Sequence, residues 1–255
     1  MAAVGTPAPE LRERVSRYYG FAEATSGPLR RREGPGVDVV VVLSLEHEWL
    51  IDDEPRVLFV GGLTDRQVTT EHAGRSYGIQ IDLPPPAAYG LFGVPMDELA
   101  RCTVALEDVL PDRMLVERLA EIDNWRARFE LLDAILARRF ADAPPPSREI
   151  EWAWRRLRDT HGRVAIGALT RELGWSRKRM VARFREQVGL PPKAIARVMR
   201  FERARELARA DSSPDWARIA VVCGYYDQSH LTRDFRAVTG LPPATFFQDA
   251  VSVAA

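Results

Sequence analysis

Residues 219–246 read IAVVCGYYDQSHLTRDFRAVTGLPPATF, and the spacing inside this stretch decides the architecture of the C-terminal half. Ile219 and Cys223 lie four apart, about one helical turn, and the pattern stops at Gly224, a residue able to adopt the positive φ that ends a helix and turns the chain. Asp227 is then suited to cap a second helix. Leu231 and Phe235, again four apart, hold that helix down at i and i+4. It runs to Gly240, after which Leu-Pro-Pro cannot continue it. Two helices around a glycine turn form a helix-turn-helix.

The pattern occurs a second time, upstream. Leu169, Leu173, Gly174 and Trp175 match Ile219, Cys223, Gly224 and Tyr225 at an offset of 50. Met180, Phe184 and the Gly-Leu-Pro-Pro of residues 189–192 match Leu231, Phe235 and the Gly-Leu-Pro-Pro of residues 240–243 at an offset of 51, so the second turn holds one extra residue. Between the copies, PKAIARVMRFERARELARA carries Ile195, Val198, Met199 and Leu207 on one stripe and reads as a single helix. At about 1.5 Å per residue it makes a rod of roughly 27 Å, which sets two readers about one DNA turn apart.

With Met180 and Phe184, or Leu231 and Phe235, turned inward, the opposite face of each second helix is free. The first copy presents Arg177, Lys178, Arg179, Val181 and Ala182 beside its cap Ser176; the second presents Gln228, Ser229, His230, Thr232 and Arg233. These types suit base edges and phosphates: Arg bonds guanine bidentately, Gln bonds adenine, and Val or Ala meets a thymine methyl. A catalytic reading of Ser229 and His230 fails because adjacent helical positions point about 100° apart.

Over residues 150–248, and most strongly in the quoted stretch, the chain resembles the AraC/XylS type of bacterial transcription regulators. The resemblance implies a seven-helix DNA-binding domain with two recognition helices joined by a long central one, Lys178 to Ala182 and Gln228 to Arg233 standing at the reading positions. One departure is Ala182, where many relatives carry Arg; the equivalent Arg233 is kept. It also implies a β-rich N-terminal sensor that is often a cupin-like barrel holding a small effector. A cupin metal site would want a His-x-His pair with further Glu and His, whereas this half offers only His47 and His72, so neither metal nor cofactor is expected.

The N-terminal half reads as short strands to about residue 110. VDVVVVLSL, Val37 to Leu45, is a β-branched run suited to a strand covered on both faces. RVLFVGGL follows, then YGIQIDL, in which Ile79, Ile81 and Leu83 alternate with their neighbours. PPPAAYGLFGVPMDELA breaks the β pattern, with Asp97 expected to cap a short helix. LRRREG, residues 29–34, reads as a solvated charge run on a turn; Trp49, Tyr77 and Tyr89 read as core aromatics more readily than as pocket walls. From 123 to 140 the period turns helical, with Trp125, Phe129, Leu132, Ile135, Leu136 and Phe140 on one face, expected to pack on the preceding sheet. After the ADAPPPSRE linker, Ile150, Trp154 and Leu157 point inward from another helix.

The expected fold is thus α+β: a β-rich sensor or oligomerisation domain, a cupin-like barrel or sandwich with a helical tail, over 1–145, and an all-α DNA-binding domain over 146–255. Within the latter, the helix-turn-helices fall at about 165–187 and 215–238, with the linking helix at about 193–210. The 36 Lys and Arg balance 36 Asp and Glu overall, but the residues from Arg148 onward hold 20 against 12 and the rest 16 against 24. The basic half is the one that phosphate contacts require. No stretch approaches 18 uninterrupted apolar residues, and the N-terminus lacks a basic start followed by an apolar run, so a cytoplasmic protein without membrane contact is expected. Cys102 and Cys223, expected as buried free thiols, cannot supply the four-cysteine zinc site and nucleophile of the Ada-type DNA-repair methyltransferases; an enzyme is not expected. Expected partners are double-stranded DNA over two adjacent major-groove segments, a small-molecule effector, RNA polymerase and a second copy of the chain.

Overall fold

The computed structural model describes residues 2–252. Its N-terminal half is built from ten strands: β1 (Ala2–Gly5), β2 (Arg17–Ala24), β3 (Leu29–Glu33), β4 (Val39–Ser44), β5 (Trp49–Ile51), β6 (Glu54–Arg56), β7 (Leu58–Gly61), β8 (Val68–His72), β9 (Arg75–Leu83) and β10 (Thr103–Ala105). They form a six-stranded sheet in the order β1-β2-β9-β4-β7-β10 and a four-stranded sheet in the order β3-β8-β5-β6.

β4 explains why the larger sheet has two buried faces. Successive side chains of a strand point to opposite sides. Val39, Val41 and Leu43 join Ile79, Ile81 and Leu83 of the paired β9 in the main core. Val40 and Val42 face the other way, with Phe21, Ile51 and Phe59 in a small separate cluster. The run of four valines is therefore covered on both faces, as its composition predicts.

The main-core face is closed by α1 (Pro85–Phe92), α2 (Met96–Leu99), α3 (Leu106–Val109), α4 (Arg113–Ala120) and α5 (Trp125–Asp142). Phe129, Leu132, Leu136 and Phe140 of α5 pack on the sheet, which places that stripe in the core. The same helix buries Arg128, whose Nε donates to the Leu119 carbonyl at 2.9 Å and whose guanidinium lies over Tyr77 and Trp125 and bonds the Tyr77 hydroxyl.

Three readings are corrected. Asp97 is not a cap: α2 begins at Met96 with Pro95 before it, so Asp97 lies inside the first turn, where its charge favours the helix N-terminus. Residues 29–33 are not a turn but the strand β3, paired with β8 from Leu29↔His72 to Glu33↔Val68. Cys102 is exposed, while Cys223 is buried as expected. The proline-rich stretch after β9 leaves the β pattern as expected and forms a helix, α1, because a proline in the first turn needs no N–H partner there.

The C-terminal half is helical: α6 (Arg148–Asp159), α7 (Ile166–Glu172), α8 (Arg177–Val188), α9 (Pro192–Arg209), α10 (Trp216–Val222), α11 (Gln228–Thr239) and α12 (Pro243–Ser252). Each Gly-Leu-Pro-Pro ends one helix and opens the next, with Pro192 and Pro243 the first residues of α9 and α12. The first helix-turn-helix shares the main core with the β domain: Leu169, Met180, Phe184 and Ile195 belong to the cluster that holds Leu83 and Leu132. The second has a core of its own, Phe201, Ala204, Ile219, Leu231, Phe235 and Val238. α9 spans the two, giving Ile195 and Met199 to the first and Phe201 and Ala208 to the second.

No helix among the described residues is long and apolar enough to cross a membrane.

Candidate nucleic-acid interface and sensor cavity

The two turns are built as their sequences require. Gly174 and Gly224 adopt φ of 62° and 77°. Ser176 Oγ then accepts from the Arg179 amide at 3.1 Å, and Asp227 Oδ1 from the His230 amide at 2.7 Å. Below them Met180, Phe184, Leu231 and Phe235 are fully buried. The extra residue of the second copy falls in its turn, where Tyr226 stands 91% exposed. Nothing in the periodicity singles this residue out; its exposure follows from the insertion.

α8 accordingly leaves Arg177, Lys178, Arg179 and Ala182 exposed and Val181 half-buried, and α11 leaves Gln228, Ser229 and Arg233 exposed and Thr232 half-buried. The guanidinium of Arg179 lies 4.5 Å from the Trp175 ring centroid, which holds it near the helix start. His230 is half-buried, its ring edge-on to Tyr225 at 5.2 Å and its Nδ1 3.5 Å from the Tyr226 amide, so it braces the turn. Tyr225 is itself buried and its hydroxyl is held far above its usual range, first by desolvation and then by the charge of Asp234. Cys223, in the same core, has its thiol pushed up to about 11 by burial, which leaves it an inert apolar residue.

α8 is locked onto the β domain. Gly189, with φ of 99°, passes so near the Met96 carbonyl that a Cβ would lie 2.9 Å from it. Gln187 Oε1 accepts from the Ser147 amide at 2.9 Å, and Tyr89 reaches Glu186 at 3.4 Å. Asp65 binds Arg101 of the β domain and Arg197 of α9 at 2.8 and 2.9 Å, which keeps its carboxyl below the usual range, chiefly through the Arg101 hydrogen bond.

Between the two sheets lies a cavity of about 920 Å³. The lining is mixed: Phe21, Val40, Val42 and Phe59 of the larger sheet and Trp49 and Ile51 of the smaller are apolar, and both sheets also contribute charged side chains. Most of those charges are matched in place: Arg31 with Glu23 at 2.5 Å, the latter also 3.2 Å from His72, Arg17 with Asp82 at 2.6 Å, and Arg56 with Glu54 at 2.5 Å. Trp49 is thus a wall of this cavity, whereas Tyr77 packs on Trp125 and Tyr89 meets α8. Arg31, Glu23 and the cavity escape a linear reading, although the alternation of Tyr19, Phe21 and Glu23 along β2 is the pattern of a strand facing an interior. No group of three or more His, Cys, Asp or Glu able to hold a metal occurs among the described residues.

A family model described as a helix-turn-helix domain matches residues 169–249, the span that holds α8, α9 and α11. The C-terminal domain is of the AraC/XylS type. Of the solved structures, ToxT from Vibrio cholerae is similar over 90% of this chain and 97% of its own, with a TM-score of 0.50 at 10% identity. A second ToxT structure, from Vibrio cholerae O395 and bound to (E)-4-(8-methylnaphthalen-1-yl)but-3-enoic acid, gives the same coverage, score and identity. At that identity the likeness concerns the fold: a β domain followed by a helical helix-turn-helix domain. The AraC-like transcriptional activator CuxR matches 83% of this chain and 87% of its own at 17% identity, with a TM-score of only 0.27. No curated protein matches the chain. The AraC/XylS-type domain here is thus joined to a β domain through a shared core, and the two-helix-turn-helix organisation read from the repeat stands.

Proposed function

We propose that this protein is a sequence-specific DNA-binding transcription regulator that responds to a small molecule held between the sheets of its β domain. The observation that carries the DNA reading is the pair of capped second helices with exposed polar and basic faces on a duplicated scaffold. Arg and Lys set register on phosphates, and α8 and α11 enter successive major-groove segments of double-stranded DNA. Ser176, Arg177, Lys178, Arg179, Val181 and Ala182 form the first reading set; Gln228, Ser229, Thr232 and Arg233, with His230 at the turn, form the second. The sets differ, basic and small apolar against polar with one Arg, so the two half-sites differ in sequence. This is a binding function with no catalytic step assigned.

The effector part rests on the cavity, whose volume falls in the range of small-molecule sites, and is supported by the fold shared with ToxT, one structure of which holds an aryl-butenoic acid. Binding in the cavity shifts the population of DNA-competent protein. A homodimer, with RNA polymerase as a further partner, completes the proposed working state.

Selection of bound duplexes from a random pool tests the DNA reading, with Arg233→Ala as the comparison. The variant is expected to lose about 1–3 kcal/mol and to relax preference at one base pair. Equal loss on every sequence would make Arg233 a phosphate contact, and a pool that fails to enrich any sequence would contradict specific reading.

A further inference from the structure

A side chain outside both reading faces touches the approach to the first helix-turn-helix and the body of the second. Arg200 lies on α9 between Met199, which belongs to the first core, and Phe201, which belongs to the second. Its side chain is 19% exposed and reaches both ways. Toward the first unit, Nη1 donates to the Gly162 carbonyl at 3.2 Å, in the turn that leads from α6 into α7. Toward the second, Nη2 stands 3.7 Å from Oδ2 of Asp234, the residue after Arg233 on α11. The guanidinium also lies 5.3 Å from the ring centroid of Tyr225, in the turn before α11.

The backbone around it is shaped for this contact. Gly162 has a φ of 74°, and a Cβ there would overlap the Ala196 carbonyl oxygen, so the turn presses on α9 only because it carries no side chain. Arg163, the next residue, lies along the second turn: a Cβ on Gly224 would be 2.7 Å from its Cγ. The turn between α6 and α7 thus meets both α9 and the turn between α10 and α11. Asp234 is 15% exposed, Arg200 is its one ion-pair partner among the described residues, and its Oδ2 accepts no hydrogen bond from them. Losing that cation would leave a largely buried carboxylate without a counter-charge. The guanidinium is a planar fork able to serve a carbonyl, a carboxylate and a ring face together, which a lysine ammonium cannot do.

We infer that Arg200 is a positioning residue for DNA reading: by holding Gly162 and Asp234 at once it fixes the angle of α11 relative to α8, and with it the spacing and phase of the two half-sites. The inference rests on the proposed DNA reading and adds the residue that sets half-site phase. The two ends of the fork are fastened to different units, so turning the second unit about α9 must stretch one contact or the other. Arg200 lies off both reading faces and acts through Asp234, one position from Arg233. Each base pair added between the half-sites turns one against the other by roughly 35°. A joint that fixes the angle between α8 and α11 therefore selects among spacings that differ by a single base pair.

Two measurements on the full chain test this, and the first needs no DNA. With Cys102→Ser removing the exposed thiol, spin labels are placed at Arg185→Cys and Arg236→Cys, exposed positions of α8 and α11 outside the reading sets. A single narrow distance distribution is expected, at least doubling in width in Arg200→Lys and in Asp234→Asn. Unchanged width in both variants would overturn the positioning role. The second measurement uses a duplex enriched from a random pool, and derivatives with the half-sites one base pair nearer or farther apart. The unaltered chain is expected to lose at least tenfold in affinity for a one-base-pair change. Both variants should lose threefold or less, while their affinity for an isolated second half-site stays within twofold of the unaltered chain's. Equal weakening on every duplex, with the spacing preference kept, would make the pair a stabilising contact only and overturn the inference. Loss of the fold in both variants, seen by thermal unfolding, would overturn it as well. If the unaltered chain enriches no sequence, the DNA reading falls and half-site phase with it, and the label distances still decide whether Arg200 fixes α11.

Discussion

The two helix-turn-helices share a sequence pattern and differ in what they are attached to. The first is built into the β domain: Phe184 lies in the core that also holds Leu83 and Leu132, and Gly189 passes under the Met96 carbonyl. The second packs on itself around Phe235, which meets Phe201 at 4.7 Å and Trp216 at 6.1 Å, and is joined to the rest mainly by α9. Duplication of a scaffold thus does not imply equivalent behaviour. One helix-turn-helix shares the core of the β domain, and the other has a core of its own.

Cavity-forming substitutions separate the two most strongly. Phe184→Ala and Phe235→Ala each remove a fully buried ring and should cost about 3–5 kcal/mol. Hydrogen exchange distinguishes where the loss is felt. Phe184→Ala should lower protection in α7, α8 and the strands together, whereas Phe235→Ala should lower it in α10 and α11 and leave β4 and β9 unchanged. Loss of protection throughout the chain in both variants would mean a single cooperative unit and would erase the distinction.

How much of this was legible differs between the halves for a physical reason. The helix-turn-helices are local: a helix of 12 residues, its cap and its glycine turn all lie within one stretch, so α8 and α11 begin at Arg177 and Gln228, just after the expected caps. The exposed faces of α8 and α11 follow by elimination once Met180, Phe184, Leu231 and Phe235 point inward. The β domain is non-local. Arg31 looks like one charge in a solvated run until β3 pairs with β8 and brings it to Glu23, eight residues back in sequence but on another sheet. Asp65 and Arg197, joined at 2.9 Å, stand 132 positions apart in the chain, and no periodicity could join them. The Asp97 cap failed because the N-cap is Pro95, two residues earlier, so the helix starts at Met96.

The caps give a smaller and more even effect. Ser176→Ala and Asp227→Ala should each cost about 1 kcal/mol by removing the acceptor for an exposed helix amide. Denaturant unfolding checks this. A clearly larger loss at Asp227 would indicate that its bond to His230 also supports the Tyr225 and Tyr226 turn, and would sharpen the contrast between the copies.

The account centres on two unlike readers held about one DNA turn apart by α9. It is tested most directly by measuring affinity for a selected duplex into which about 5 base pairs, half a helical turn, are inserted between the two protected blocks. Binding is expected to fall to the level of a single half-site, and to recover in part when about 10 base pairs are inserted only if the second unit can swing on α9. Unchanged affinity with the half-turn insertion would contradict simultaneous reading by α8 and α11.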